Sequence, residues 1–335
     1  MTKKIFLLIL SLLFIRNVYS QSENGKIVYS SDNTDNGYLQ IFTMNADGSD
    51  KKQLTNLYTN CINAKWSDDG SKIVFETQDT KSEPSIFVIR DVNTDTPSEP
   101  VYITDGTNPI LLDNDETIIY NSDVDGILTI YIKFHEEAEG YPISITGYSN
   151  QQVLTPDHRY MAYSTYLEDG KGIVLMDLDD TTDNNIWKIS FNTNTNLHPD
   201  ISPDGDILAY ASFNEQLNGT IYIYIEGKEI PLTKEFTSAD MPKFSPDMKK
   251  IGFIVIDNSS VKLYTMNLDG TAKKYLPIKN GNIGHFSWID KDNIIFDAED
   301  GNSYRVGIID VNTGKYSILA DDGNCLYPDY IEIRE

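Results

Sequence analysis

The chain has 335 residues, with 27 Lys+Arg against 51 Asp+Glu and a formal charge of −24. Its 40% hydrophobic and 23% charged content is globular, and the length suits one large all-β domain or two ordinary ones. So acidic a chain argues against nucleic acid, whose phosphates need Lys or Arg, and against docking on anionic lipid. Two Cys exclude a disulfide-dense scaffold and any four-Cys zinc site.

The N-terminus reads as an address. Lys3 and Lys4 precede the apolar run Ile5 to Ile15, interrupted only by Ser11. That run is short for a membrane-spanning helix. Val18 and Ser20 suit a signal-peptidase site, so residues 1–20 are expected to be a signal peptide cleaved near Ser20. Cleavage removes Lys3, Lys4 and Arg16 and no acid, taking the charge from −24 to −27. The mature protein is expected to be secreted or periplasmic, with no stable membrane insertion.

Residues 21–335 read as repeats of one unit. Trp66 to Phe75 opens on an apolar residue, passes through a turn and ends in an aromatic. Ile201 to Tyr210 and Phe244 to Phe253 share this layout. Leu111 to Tyr120 and Leu154 to Tyr163 are weaker copies, and Trp288 to Phe296 is one residue shorter. Lys26 to Tyr29 supplies only the second half of a copy. The closing aromatics are Tyr29, Phe75, Tyr120, Tyr163, Tyr210, Phe253 and Phe296, at spacings of 46, 45, 43, 47, 43 and 43.

A third β-run follows each aromatic, around Phe42, Phe87, Tyr131, Val174, Tyr222, Tyr264 and Gly307. A fourth lies at Leu54, Ile103, Ile145, Ile189, Leu232, Leu276 and Leu319. Four short strands per period of 43 to 47 residues predict a β-propeller blade. The missing first strand stands at the other end of the chain, where Leu326-Tyr327-Pro328-Asp329-Tyr330 matches Leu197-His198-Pro199-Asp200-Ile201. The expected fold is therefore all-β: a single seven-bladed propeller, its ring closed by the C-terminal strand completing the first blade.

Phe42-Thr43-Met44-Asn45-Ala46-Asp47-Gly48-Ser49 and Tyr264-Thr265-Met266-Asn267-Leu268-Asp269-Gly270-Thr271 are near-duplicates. Together with Ser202-Pro203-Asp204-Gly205 they resemble the repeat of TolB-like (WD40-like) propellers. For TolB proper that resemblance implies six blades behind a small α/β domain, acting in the periplasm with a lipoprotein partner. This chain counts seven units, and the extra domain is not expected, since only Gln21 to Gly25 lie between the expected cleavage site and the first unit.

Three residues before each Trp66-like position stand Asn63, Asn108, Gln151, His198, Met241, His285 and, in the closing strand, Tyr327. By register they form one ring around the channel mouth, at the face where the innermost strands begin. This is the candidate binding site. Its His and Gln invite a metal reading, similar to the manganese site of seven-bladed oligogalacturonate lyases. Gln151, His198 and His285 are a sparse ligand set, and a polar, hydrated lining is the simpler expectation. His135 and His158 fall outside the register and are expected on the surface.

Asp32 to Gly37 begins like an EF-hand loop but has Thr43 where the twelfth-position Glu belongs. Asp123 to Gly126 and Asp297 to Gly301 read equally well as hairpin turns. No cofactor is expected beyond weak calcium binding. No Gly-x-Ser-x-Gly, phosphate loop or dinucleotide fingerprint occurs. Cys61 and Cys325 stand at the same register of innermost strands in neighbouring blades, which makes them a candidate disulfide in an oxidising compartment.

The function that emerges is an exported, non-catalytic binding propeller. Its partner would be a protein or glycan of the envelope or extracellular space, met at the loop face and channel mouth. The alternative is a metal-dependent polysaccharide lyase, or another carbohydrate-active enzyme, using the same mouth.

Overall fold

The computed structural model describes residues 25–79, 83–112, 117–135, 137–144, 147–168, 170–180, 185–279 and 281–333. The expected signal peptide lies outside them. Among the described residues no helix is long and apolar enough to cross a membrane.

Twenty-eight strands form seven antiparallel four-stranded sheets. Six sheets take their strands in chain order, innermost to outermost. In the seventh, Cys325–Glu332 lies innermost, beside Gly25–Ser31. The C-terminal strand thus completes the first blade, and the ring has no open inner edge. The other innermost strands are Asn60–Trp66, Thr107–Leu112, Asn150–Leu154, Thr195–Ile201, Ala239–Phe244 and Ile283–Trp288.

Each closing aromatic lies in a second strand and is almost wholly buried. Its direct cross-strand partner is the residue that marked the third run: Tyr29 faces Phe42, Phe75 faces Phe87, and Tyr210 faces Tyr222. Such pairs are the unit of sheet stabilisation. Gly307, opposite Phe296, is the exception to the bulky pattern. A Cβ there would meet the Phe296 ring at 2.7 Å, so only glycine leaves the ring its place.

The core is divided among seven apolar clusters, one between each pair of neighbouring blades. Phe75 joins the cluster against the first blade, and Tyr29 the cluster against the seventh. Each closing aromatic packs onto the blade before it.

The fourth strands are shorter than the sequence pattern suggests. Lys52–Gln53 and Lys274–Tyr275 end one residue before Leu54 and Leu276. These leucines still donate their N–H groups inward, to Ile41 and Leu263 at 2.8 and 2.9 Å, but the outer ladder stops there. Short outer strands limit the exposed edge. Ile145 lies outside the described residues.

Candidate functional site

Every innermost strand carries a β-bulge. In the second blade Ile62 pairs with Glu76 and Lys65 with Val74, so Asn63 and Ala64 together oppose Phe75. The same two-against-one arrangement places Asn108, Gln151, His198, Met241 and Tyr327 at equivalent points. All six hold left-handed backbone, with φ between 51° and 60°. That region is sparsely used by non-glycine residues. Pro109, Pro199, Pro242 and Pro328 follow four of them. A bulge leaves one N–H outside the ladder, and proline has none to leave.

His285 departs from this pattern. The seventh blade's first turn is one residue shorter, and its bulge, Gly284 and His285, opposes Asp297 rather than Phe296. A Cβ on Gly284 would meet Asp297 Oδ1 at 2.2 Å. Glycine is what lets that carboxylate tuck against the bulge.

A belt of acceptors holds the ring together. Asp297, fully buried, accepts the backbone N–H of His285 at 2.9 Å and of Tyr327 at 2.8 Å. Its Oδ2 also lies 2.9 Å from His285 Nδ1. Glu76 accepts Asn63 Nδ2–H at 2.7 Å and the backbone N–H of Asn108. Gln151 Oε1 accepts the N–H of His198 at 3.0 Å. Asp240 Oδ1 accepts the N–H of Met241 at 2.7 Å and lies 2.6 Å from His198 Nδ1. Burial pushes the Glu76 carboxyl above the usual carboxylate range, against the hydrogen bonds from Asn108 and Asn63.

Glu76, Asp240 and Asp297 were missed in the sequence reading. A usable signal existed: Glu76 and Asp297 each follow a closing aromatic directly, at a position that faces the axis. Asp297, read from sequence as a turn residue, lies inside the strand Asn293–Asp300.

The ring residues stand one to three residues in from the starts of the innermost strands and form the floor of a vestibule. Two overlapping cavities of about 530 and 540 Å³ run from it towards the Ser-Pro-Asp-Gly turns. One is lined by Asn63, Met241, His285 and Tyr327, and the other by Asn63, Asn108 and Gln151. The Tyr327 and His285 rings pack with centroids 4.5 Å apart.

Higher in the vestibule two matching latches join neighbouring blades. Asp200 accepts from Lys243 Nζ at 2.9 Å and from the Phe244 N–H at 2.8 Å. Asp329 accepts the Trp66 N–H at 3.1 Å and lies 3.5 Å from Lys65 Nζ. Both aspartates belong to the Pro-Asp pair that identified the closing strand.

His135 is exposed. His158 is not a simple surface residue: its side chain is 14% exposed and its Nε2 lies 3.4 Å from Asp68 Oδ2. It takes the left-handed turn position that Gly70 and Gly205 fill elsewhere. Of the calcium candidates, Asp32 is engaged by Asn324, whose N–H and Nδ2–H reach its carboxylate at 2.7 and 2.6 Å. Asn36 donates to Asn56 and to Leu57 O. No group of three or more His, Cys, Asp or Glu among the described residues is placed to hold a metal.

The candidate Cys61–Cys325 bridge is not formed; both are free, buried thiols. Cys61 packs between the first and second blades, Cys325 between the seventh and first. Equal register turns both side chains towards the preceding blade, which leaves the first blade's sheet between them.

No protein-family model matches the chain, and no curated protein matches it. Among solved structures it is similar to TolB from Acinetobacter baumannii, with 16% identity, a TM-score of 0.59, and coverage of 92% of this chain and 67% of that one. The propeller domain of the Trilobed protease from Pyrococcus furiosus gives 16% identity and a TM-score of 0.63 over 90% of this chain and 96% of that one. A puromycin-hydrolyzing peptidase from Mycobacterium tuberculosis gives 10% identity and a TM-score of 0.67 over 90% of this chain. The chain spans about half of that peptidase, 52% of its length. What is shared at such identities is the fold: a β-propeller of the kind found in TolB proteins and in the propeller domains of peptidases.

Proposed function

We propose that this chain is an exported binding propeller that engages a protein or glycan partner through the vestibule above its bulge ring. One observation carries the reading. Six non-glycine residues hold left-handed backbone around a single axis, at the floor of a cavity. Such backbone costs about 1–3 kcal/mol per residue and collects at ligand clamps and other functional sites. The TolB neighbours favour a binding role, and the peptidase neighbours contribute a propeller fold without bearing on chemistry here.

A lyase reading has one observation in its favour. Asp240 and Asp297 each lie against a His Nδ1, leaving Nε2 for another partner, as carboxylates do behind metal-bound imidazoles. Met241 separates the two histidines in the ring, however, and supplies no hard ligand.

The test is capture from a native envelope fraction by the wild-type propeller and by His285→Ala and Lys243→Ala. A partner kept by the wild type and lost by the variants supports vestibule binding. A partner held equally by all three would place the site elsewhere. Manganese retained through purification and lost in His198→Ala would favour the lyase.

A further inference from the structure

Four carboxamides line one wall of the vestibule: Asn63, Asn108, Gln151 and Gln152. Each uses one end of its amide on the protein. Asn63 Nδ2 donates to Glu76, Asn108 Nδ2 to Asn121 Oδ1 at 3.4 Å, and Gln152 Nε2 to Asn108 O at 2.9 Å. Gln151 Oε1 accepts from Ser164 Oγ and the His198 N–H, both at 3.0 Å. The other ends, Asn63 Oδ1, Asn108 Oδ1, Gln151 Nε2 and Gln152 Oε1, have no partner among the described residues. Gln152 is only 7% exposed and its Oε1 is closed off from the vestibule, which leaves Asn63 Oδ1, Asn108 Oδ1 and Gln151 Nε2 as the ends a ligand can meet. Polar ends that a concave site leaves unpaired are the groups a ligand can engage.

The charged groups tell the opposite story. Lys243 and Lys65 are paired with Asp200 and Asp329. His198 and His285 lie against Asp240 and Asp297. An ionic ligand would compete with a partner already in place at each of these charges, whereas a neutral ligand leaves the pairs intact. A polyanion would also face the chain's net charge of −24.

We infer that the vestibule takes a neutral, hydroxyl-rich ligand: an uncharged oligosaccharide. The inference rests on the vestibule-binding reading and names its ligand class. Two open acceptors and one open NH₂ suit sugar hydroxyls, which donate and accept from adjacent carbons. A peptide chain brings its N–H groups alternately to opposite sides, a poorer match to acceptors gathered on one wall. The Tyr327 and His285 rings, in contact with their planes tilted by 46°, give the apolar face of a pyranose a surface, His285 being 44% exposed.

The experiment is calorimetric titration of the full propeller with neutral gluco-, manno- and xylo-oligosaccharides. An oligogalacturonate and an uncharged peptide serve as comparison ligands. A neutral oligosaccharide should bind, and Asn108→Gly, which removes an open amide and keeps the left-handed backbone, should weaken it by about tenfold, the value of one charge-free hydrogen-bonding site. If Asn108→Gly fails to fold, the half-exposed His285→Ala should show a similar loss while keeping the β-sheet circular dichroism of the wild type. Binding of none of the neutral sugars, or of only the oligogalacturonate or the peptide, overturns the inference. Should the sugars fail while a captured protein still depends on His285 and Lys243, the ligand class is wrong and the vestibule reading stands. If neither sugar nor protein depends on those side chains, both fall.

Discussion

Cys61 and Cys325 show how far a residue's register can be trusted. Their shared height in neighbouring strands was legible in the sequence; the direction in which both side chains point, and so the sheet between them, was not. Burial pushes the Cys61 thiol up to about 12 and the Cys325 thiol up to about 11, so neither is a ready thiolate in the folded protein. Thiol titration without reductant should find almost no reactive groups in the folded protein and two per chain once it is unfolded, matching the two Cys of the sequence. A disulfide would give none in either state. Ring residues carry a similar lesson. Their offset before each Trp66-like position could be counted, but not their backbone. Left-handed φ is normally announced by Gly, and here Asn, Gln, His, Met and Tyr adopt it. Glu76, Asp240 and Asp297 were hidden for a different reason: in a chain with 51 acids, three buried ones do not stand out.

At the scale of the element, the repeated turns explain their own sequence. Ser202 Oγ donates to Asp204 Oδ1 at 2.6 Å, and the Asp206 N–H donates to the same oxygen at 3.2 Å. Gly205 then takes φ 81°. The turn at Ser245 repeats the hydroxyl–carboxylate bond at 2.8 Å but holds Met248 at φ 57° in the glycine position. Met248→Gly should therefore stabilise the protein by about 0.5–1 kcal/mol, the left-handed penalty less the extra freedom glycine adds to the unfolded chain. Thermal or urea unfolding checks this, and a destabilised variant would show that Met248 packing outweighs its backbone strain. The Asp204 carboxyl is held below its usual range, chiefly by the Ser202 hydroxyl, against some desolvation. A depressed folded pKa gives stability that is present above the unfolded value of about 3.9 and lost as pH falls through the folded one. Asp204→Asn should accordingly melt below the wild type near about pH 6, with the gap closing below about pH 4. A gap that persisted undiminished into acid would assign the effect to amide geometry and not to charge.

For the whole molecule, seven repeats and a displaced strand sufficed to read the propeller, because propeller closure is a matter of strand count and order. The same repetition concealed local departures. The seventh blade's bulge lies one step further from the turn than the others and brings Asp297 across from Gly284 and His285, although Trp288 still pairs two residues before its closing aromatic, as Trp66 does. Closure itself is the most demanding claim. Cys325–Glu332 pairs along Gly25–Ser31, and its Asp329 reaches on to the second blade at Trp66. Asn324 caps Asp32, and the Tyr327 N–H meets the buried Asp297. A chain ending at Asp322 would lose all of these at once. It would leave Gly25–Ser31 as an open edge, uncover Ile27 and Tyr29, and strand Asp297 short of a partner. Truncation should lower the melting temperature far more than a typical point change of about 1 kcal/mol, and should promote association through the bared edge. Adding a peptide of residues 323–333 in trans should restore both, by strand addition to that edge. A truncated chain that melts like the full one would overturn the closure. A chain that melts lower but ignores the peptide would show that the loss comes from the tail's other contacts, with the edge playing no part.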